Sequence, residues 1–61
     1  MRLTAGLMSK MRASAGYREH SILDNLTRYE YRPENGYRVI RFTDNKGKSC
    51  EYSLKLERWT N

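Results

Sequence analysis

Most of what braces a small protein is scarce in this sequence. Its 61 residues include one cysteine, Cys50, one histidine, His20, and one proline, Pro33. A disulfide within the chain needs two cysteines, and a structural zinc site usually needs four ligands drawn from Cys and His, so neither is expected to hold the fold together. Apolar runs stop at two or three residues, far short of the roughly 20 that span a bilayer. The opening "MRLTAGLMSKMRASAG" has a basic residue near its front but no continuous apolar stretch of the kind a secretory leader carries. The expectation is a cytoplasmic protein without membrane contact, in which Cys50 is a reduced, small apolar residue of the core.

Catalytic signatures are equally scarce. There is no nucleophile motif, no phosphate-cradling glycine loop and no metal-ligating cluster, so no cofactor is expected. His20 beside Glu19 is the one arrangement that bears on acid–base cleavage of RNA. A single loop histidine, in a chain too small to form a deep pocket, leads instead to a non-enzymatic reading. A single domain of this length buries only about 60% of the surface its unfolded chain exposes, so a homodimer would relieve a thin core.

Charge is plentiful. Twelve Lys and Arg face seven Asp and Glu, for a formal charge of +5. Up to His20 the bases are Arg2, Lys10, Arg12 and Arg18 against Glu19 alone, and the remainder of the chain is closer to balance. Such an excess favours nucleic acid, an acidic protein surface or an anionic membrane as partner, and is silent on fold.

The chain divides into a helical or irregular part, 1–25, and a stranded part, 26–59, within one domain. Thr4 suits the N-cap of a short helix whose Leu3, Leu7 and Met11 share a face, with Gly16 expected in the left-handed position past its end. Ser21 followed by Asp24 allows either a helix of one or two turns or an irregular lead into the first strand. From Leu26 onward apolar and charged residues alternate with period two, through Arg32, from Tyr37 to Thr43 and from Ser49 to Leu56. "DNKG" (Asp44 to Gly47) has the form of a type I turn closed by a glycine bulge, and "PENG" (Pro33 to Gly36) that of a four-residue loop. The expected fold is α+β: a short N-terminal helix packed on a three-stranded antiparallel meander.

Those turns set a register. Phe42 is expected opposite Cys50, Ile40 opposite Tyr52 and Arg41 opposite Glu51; the four-residue loop puts Tyr29 opposite Ile40 and Arg28 beside Arg41. One face then carries Tyr29, Tyr31, Ile40, Phe42, Cys50, Tyr52, Leu54 and Leu56, which the helix covers. The other carries Arg28, Glu30, Arg32, Tyr37, Val39, Arg41, Glu51, Ser53 and Lys55. A slip of one residue would mix charge into the core, so the clean separation supports the register.

The polar face has three readings. It can be the solvated side of an ordinary sheet, a surface for DNA, or a surface for an acidic protein. Arginines on a sheet can read guanine edges in the major groove while lysines hold phosphates, and Lys46 and Lys48 at the hairpin tip suit the second task. Arg58 and Trp59 have the make-up of a protein-binding hot spot. The segment Asn35 to Leu56, "NGYRVIRFTDNKGKSCEYSLKL", resembles the arm-type DNA-binding domains at the N-terminus of phage and transposon tyrosine recombinases. Those domains show a glycine-aromatic strand opening, a basic-aromatic strand, a D-x-x-G-like turn and a third strand of polar alternation. The resemblance implies a three-stranded sheet in the major groove, with Tyr37, Arg41, Ser53 and Lys55 facing bases and Lys46 and Lys48 near phosphates. It covers about a third of the chain and carries no recombinase activity. The competing expectation is an inhibitor or accessory protein of a phage or mobile element that binds an acidic host protein.

Overall fold

A computed structural model describes residues 3–34 and 36–60, with the backbone alone at Glu34 and Tyr37. Two helices, α1 (Ala5–Ala13) and α2 (Tyr17–Asp24), precede four strands, β1 (Leu26–Glu34), β2 (Tyr37–Asp44), β3 (Ser49–Ser53) and β4 (Arg58–Trp59). The strands form one antiparallel sheet in the order β1-β2-β3-β4. The architecture is α+β, with a two-residue fourth strand added to the expected meander.

Thr4 caps α1 as its sequence position suggests: the hydroxyl accepts the Leu7 N–H at 3.1 Å, a contact of the kind that contributes about 1 kcal/mol. The end of α1 differs from expectation. The helix stops at Ala13 with Ser14 as its C-cap, and Gly16 is extended at φ −84°, serving as the N-cap of α2. The Gly16 N–H donates to Glu19 Oε1 at 2.8 Å, so α2 begins four residues before the Ser21 start, on the strength of a carboxylate three positions into the helix.

The β2–β3 hairpin follows its turn chemistry. Asp44 N–H donates to the Lys48 carbonyl at 2.9 Å, Gly47 N–H to the Asp44 carbonyl at 3.2 Å, and Gly47 has a φ of +82°. The Asp44 carboxylate accepts the amides of Lys46 and Lys48 at 2.9 and 2.8 Å. The pairs Phe42 with Cys50, Ile40 with Tyr52 and Arg41 with Glu51 result.

The β1–β2 hairpin is tighter than expected. β1 runs through Pro33 and Glu34, and Tyr29 faces Phe42 while Tyr31 faces Ile40, a displacement of two residues from the four-residue loop. Gly36, at φ +80°, meets the positive-φ demand of a two-residue hairpin, and Pro33 is tolerated because β1 is an edge strand, with no outer neighbour among the described residues to lose a bond to. A shift of two leaves every side chain on its original face. It does remove the expected Arg28–Arg41 neighbours: Arg28 is opposite Thr43, and Arg41 is opposite Glu30.

The core lies between the helices and one sheet face. Met11, Ile22, Leu23, Ile40, Phe42, Cys50 and Tyr52 are buried together, with Leu3, Leu7, Met8, Leu26, Tyr31, Leu54 and Trp59 packed around them. Trp59 joins this face through its pairing with Tyr52. Its ring centroid is 5.7 Å from Phe42 and 5.2 Å from Tyr52, and its indole N–H donates to the Met11 carbonyl at 3.1 Å. β3 ends at Ser53, so Leu56 leaves the strand and is exposed rather than joining the core. Among the described residues, no helix is long and apolar enough to cross a membrane.

Two buried polar atoms carry predictions. The Tyr52 hydroxyl is buried with no hydrogen-bond partner, an arrangement that costs about 1–3 kcal/mol. Tyr52→Phe should therefore unfold at the same or a higher urea concentration than the parent, whereas Phe42→Ala should lose about 3–5 kcal/mol. Burial pushes the Cys50 thiol up to about 11. Because the folded value lies above the unfolded one, this contribution to stability is complete below about pH 8.5 and is lost as pH rises toward 11. Native protein at pH 8 should react with a disulfide reagent far more slowly than the urea-unfolded chain; equal rates would mean that the thiol is exposed.

Candidate functional site

The uncovered sheet face is built row by row from the strand pairing. Residues directly opposite one another share a face, so one row holds Arg32, Val39, Ser53 and Arg58, the next Glu30, Arg41 and Glu51, and the next Arg28, Thr43 and Ser49. Four arginines from three strands thus occupy a surface that neither helix covers. Val39, Glu51 and Ser53 are buried on this same face, at 6%, 9% and 1% exposure.

Glu51 organises the centre. Its Oε2 accepts from Arg41 Nε at 3.0 Å and lies 2.9 Å from Arg41 Nη2, with Arg32 Nη1 at 3.9 Å. One carboxylate oxygen thus orients the Arg41 guanidinium by hydrogen bonding and attracts that of Arg32 at longer range. The local charge is partly neutralised, so Arg41 and Arg32 are anchored cations rather than bare ones.

The β2–β3 turn presents a second group. Lys46 and Lys48 are exposed at the tip, and Arg28 lies on the row nearest to it. Arg18 reaches over from α2 to donate to the Ser49 carbonyl at 2.7 Å, which keeps its full charge. The Asp44 carboxylate at the centre of this turn is buried and bound to backbone amides.

Among the described residues five carboxylates are engaged, whereas Glu30 and several cations are not. Glu19 caps α2, Asp24 pairs with Arg12 at 3.1 Å, Asp44 closes the turn, Glu51 holds Arg41, and Glu57 pairs with Lys10 at 2.7 Å. That last bond raises the Lys10 pKa. Arg28, Lys46, Lys48 and Arg58 have no acidic partner among the described residues.

The expected site residues therefore separate into groups. Arg28, Arg32, Arg41 and Arg58 share the bare face, and Lys46 and Lys48 share its hairpin end. Ser53 is on that face but buried, with its hydroxyl accepting the Leu56 N–H at 3.0 Å, so it offers nothing to a base edge. Lys55 lies in the turn between β3 and β4 rather than on a strand. Trp59 sits on the opposite face against α1, which separates it from Arg58 as a hot spot. The ring of Tyr37 lies outside the described residues. Sequence reasoning missed Arg18, whose approach to Ser49 depends on where α2 begins, and missed the anchoring of Arg32 by Glu51. The described residues hold no group of three or more His, Cys, Asp or Glu placed to bind a metal.

No family model matches this chain, and neither does any curated protein sequence or solved structure.

Glu51→Gln should destabilise the fold by about 1–3 kcal/mol in urea titrations, because two guanidinium groups lose the charge that anchors them over a buried position. An unchanged midpoint would show that Arg41 and Arg32 are held by other contacts.

Proposed function

We propose that the chain is a small non-enzymatic nucleic-acid-binding protein that meets duplex DNA with the bare sheet face and the β2–β3 tip. The supporting observation is the distribution of partners: Arg28, Lys46, Lys48 and Arg58 have no ion-pair partner among the described residues, while Asp44, Glu51 and Glu57 are bound internally. Phosphates are the complementary charge for such a surface, and contacts to them dominate affinity. The resemblance of the stretch from Asn35 to Leu56 to arm-type domains points the same way. Arg32 and Arg41 add guanidinium groups of the kind that read guanine edges, with Arg41 keeping Nη1 free of its contact to Glu51. The buried hydroxyl of Ser53 and the turn position of Lys55 remove two base-facing candidates, so this reading rests on arginines and the lysine tip.

The competing occupant is an acidic host protein on the same surface. Docking of Trp59 into the core takes away the aromatic anchor that a C-terminal hot spot would use. Recovery of a single host protein from a nuclease-treated bacterial lysate, with no binding to DNA, would favour that occupant.

Binding to a short duplex should weaken with salt at a slope of log affinity against log salt near −3.6, as expected for about four phosphate contacts. The double variant Lys46→Glu/Lys48→Glu, at exposed positions away from the core, should reduce that slope by about two contacts' worth while leaving the circular dichroism unchanged. Affinity no higher than that of an unrelated protein of equal charge would sink the proposal. Arg41 is the wrong residue for such a test, because its reversal would place a second carboxylate beside buried Glu51.

A further inference from the structure

β1 is a nine-residue strand at the edge of the sheet, and no described element lies against its outer side. Backbone direction can be read from neighbouring bonds. Asp44 N–H meets the Lys48 carbonyl and Leu54 N–H meets the Arg38 carbonyl, so Arg38, Ile40, Phe42 and Asp44 aim their peptide groups at β3. Alternation then aims Val39, Arg41 and Thr43 at β1, and their partners Arg32, Glu30 and Arg28 back at β2. The peptide groups of Tyr29 and Tyr31 are left pointing outward, along with Pro33, which has no N–H to give.

An open edge of this length is normally blunted or paired. Pro33 blunts only its end. The middle carries a charge pattern that is its own complement: Arg28 and Glu30 flank Tyr29 on the bare face. Tyr29 itself is a large ring left 39% exposed at the margin of the core. We infer that β1 pairs with β1 of a second copy of this chain, antiparallel and centred on Tyr29. In that register Tyr29 meets its counterpart through two backbone bonds, Arg28 of each copy lies opposite Glu30 of the other, and Pro33 falls beyond the paired stretch. Centring on Tyr31 instead would set Pro33 against Tyr29 and lose a bond on each side. Centring on Glu30 would oppose Glu30 with Glu30 and Arg28 with Arg32, which the charges forbid. The two-fold axis runs perpendicular to the sheet, so the helices of both copies lie on one side and both bare faces join on the other. The inference stands apart from the nucleic-acid reading, since it rests on edge geometry and charge order alone.

Sedimentation velocity over a range of protein concentrations tests it, with circular dichroism as the check on folding. The parent should shift from monomer to dimer with concentration; a monomer at every concentration overturns the inference. Glu30→Arg, at an exposed position without an ion-pair partner among the described residues, should weaken the dimer by about tenfold or more by opposing arginine with arginine. Arg28→Glu/Glu30→Arg exchanges the two charges and should restore the dimer. Failure of restoration, or a Glu30→Arg dimer as tight as the parent, would discard this register. Amide exchange gives a second reading independent of substitution: the Tyr29 amide should gain protection as concentration rises, while those of Arg28 and Glu30 should be protected already. Loss of DNA affinity in the exchanged variant alongside a restored dimer would leave the pairing intact and bear only on the proposed function.

Discussion

Asp44 accepts the amides of Lys46 and Lys48 through its carboxylate while its own N–H meets the Lys48 carbonyl, and these bonds decide how the two central strands pair. Everything about the surface depends on that pairing. With the turn closed in this way, Phe42 and Cys50 share one face and Arg41 and Glu51 the other. A turn of two or four residues in place of the three between Asp44 and Lys48 would exchange the faces of β3 and put Glu51 among the aromatics. The carboxylate is buried because the turn wraps it, and its bonds go to the backbone amides of Lys46 and Lys48.

The second constraint is the supply of apolar cover. Two helices of nine and eight residues can close one side of a four-stranded sheet and no more. The chain closes that side efficiently, with Met11, Ile22 and Leu23 against Ile40, Phe42, Cys50 and Tyr52. It leaves the other side to a row in which Arg32 and Arg58 flank buried Val39 and Ser53, where long side chains can lie along apolar surface while keeping their charges in water. A basic face here is thus partly a structural solution, since long side chains stand in for a missing layer. That dual use explains why Glu51 is buried beside Arg41 instead of lying at the surface: it steers the cover into place.

Period-two alternation and the Asp44–Gly47 turn made the β2–β3 register legible from the sequence, because turn chemistry and hydrophobic pattern agreed on it. For β1 the sequence offered two loops of equal parity, four residues with Pro33 inside or two residues ending at Gly36. Parity preserved the faces, so the core residues could be read correctly while the cross-strand neighbours of Arg28 and Arg41 could not. Gly16 shows a different limit. An extended N-cap and a left-handed C-terminal position both favour glycine, and only the reach of Glu19 back to its N–H separates the two. β4 had no local signal at all, since a strand of two residues exists only because Trp59 finds Phe42, Tyr52 and the Met11 carbonyl. The cation group at the hairpin end was legible for Lys46 and Lys48 and hidden for Arg18, whose place depends on a helix boundary.

The bond from the Trp59 indole to the Met11 carbonyl joins residues 48 apart in sequence. The nearby Lys10–Glu57 bond, 47 apart, ties the same two segments. The hairpins between them close over short loops, whereas these contacts draw together nearly the whole length of the chain and must meet a larger closure entropy. The first helix and the last strand therefore behave as one latch over a hairpin core. Opening of that latch uncovers the Phe42 and Tyr52 rings against which Trp59 packs, while the turn-closed pairing of β2 with β3 does not depend on it.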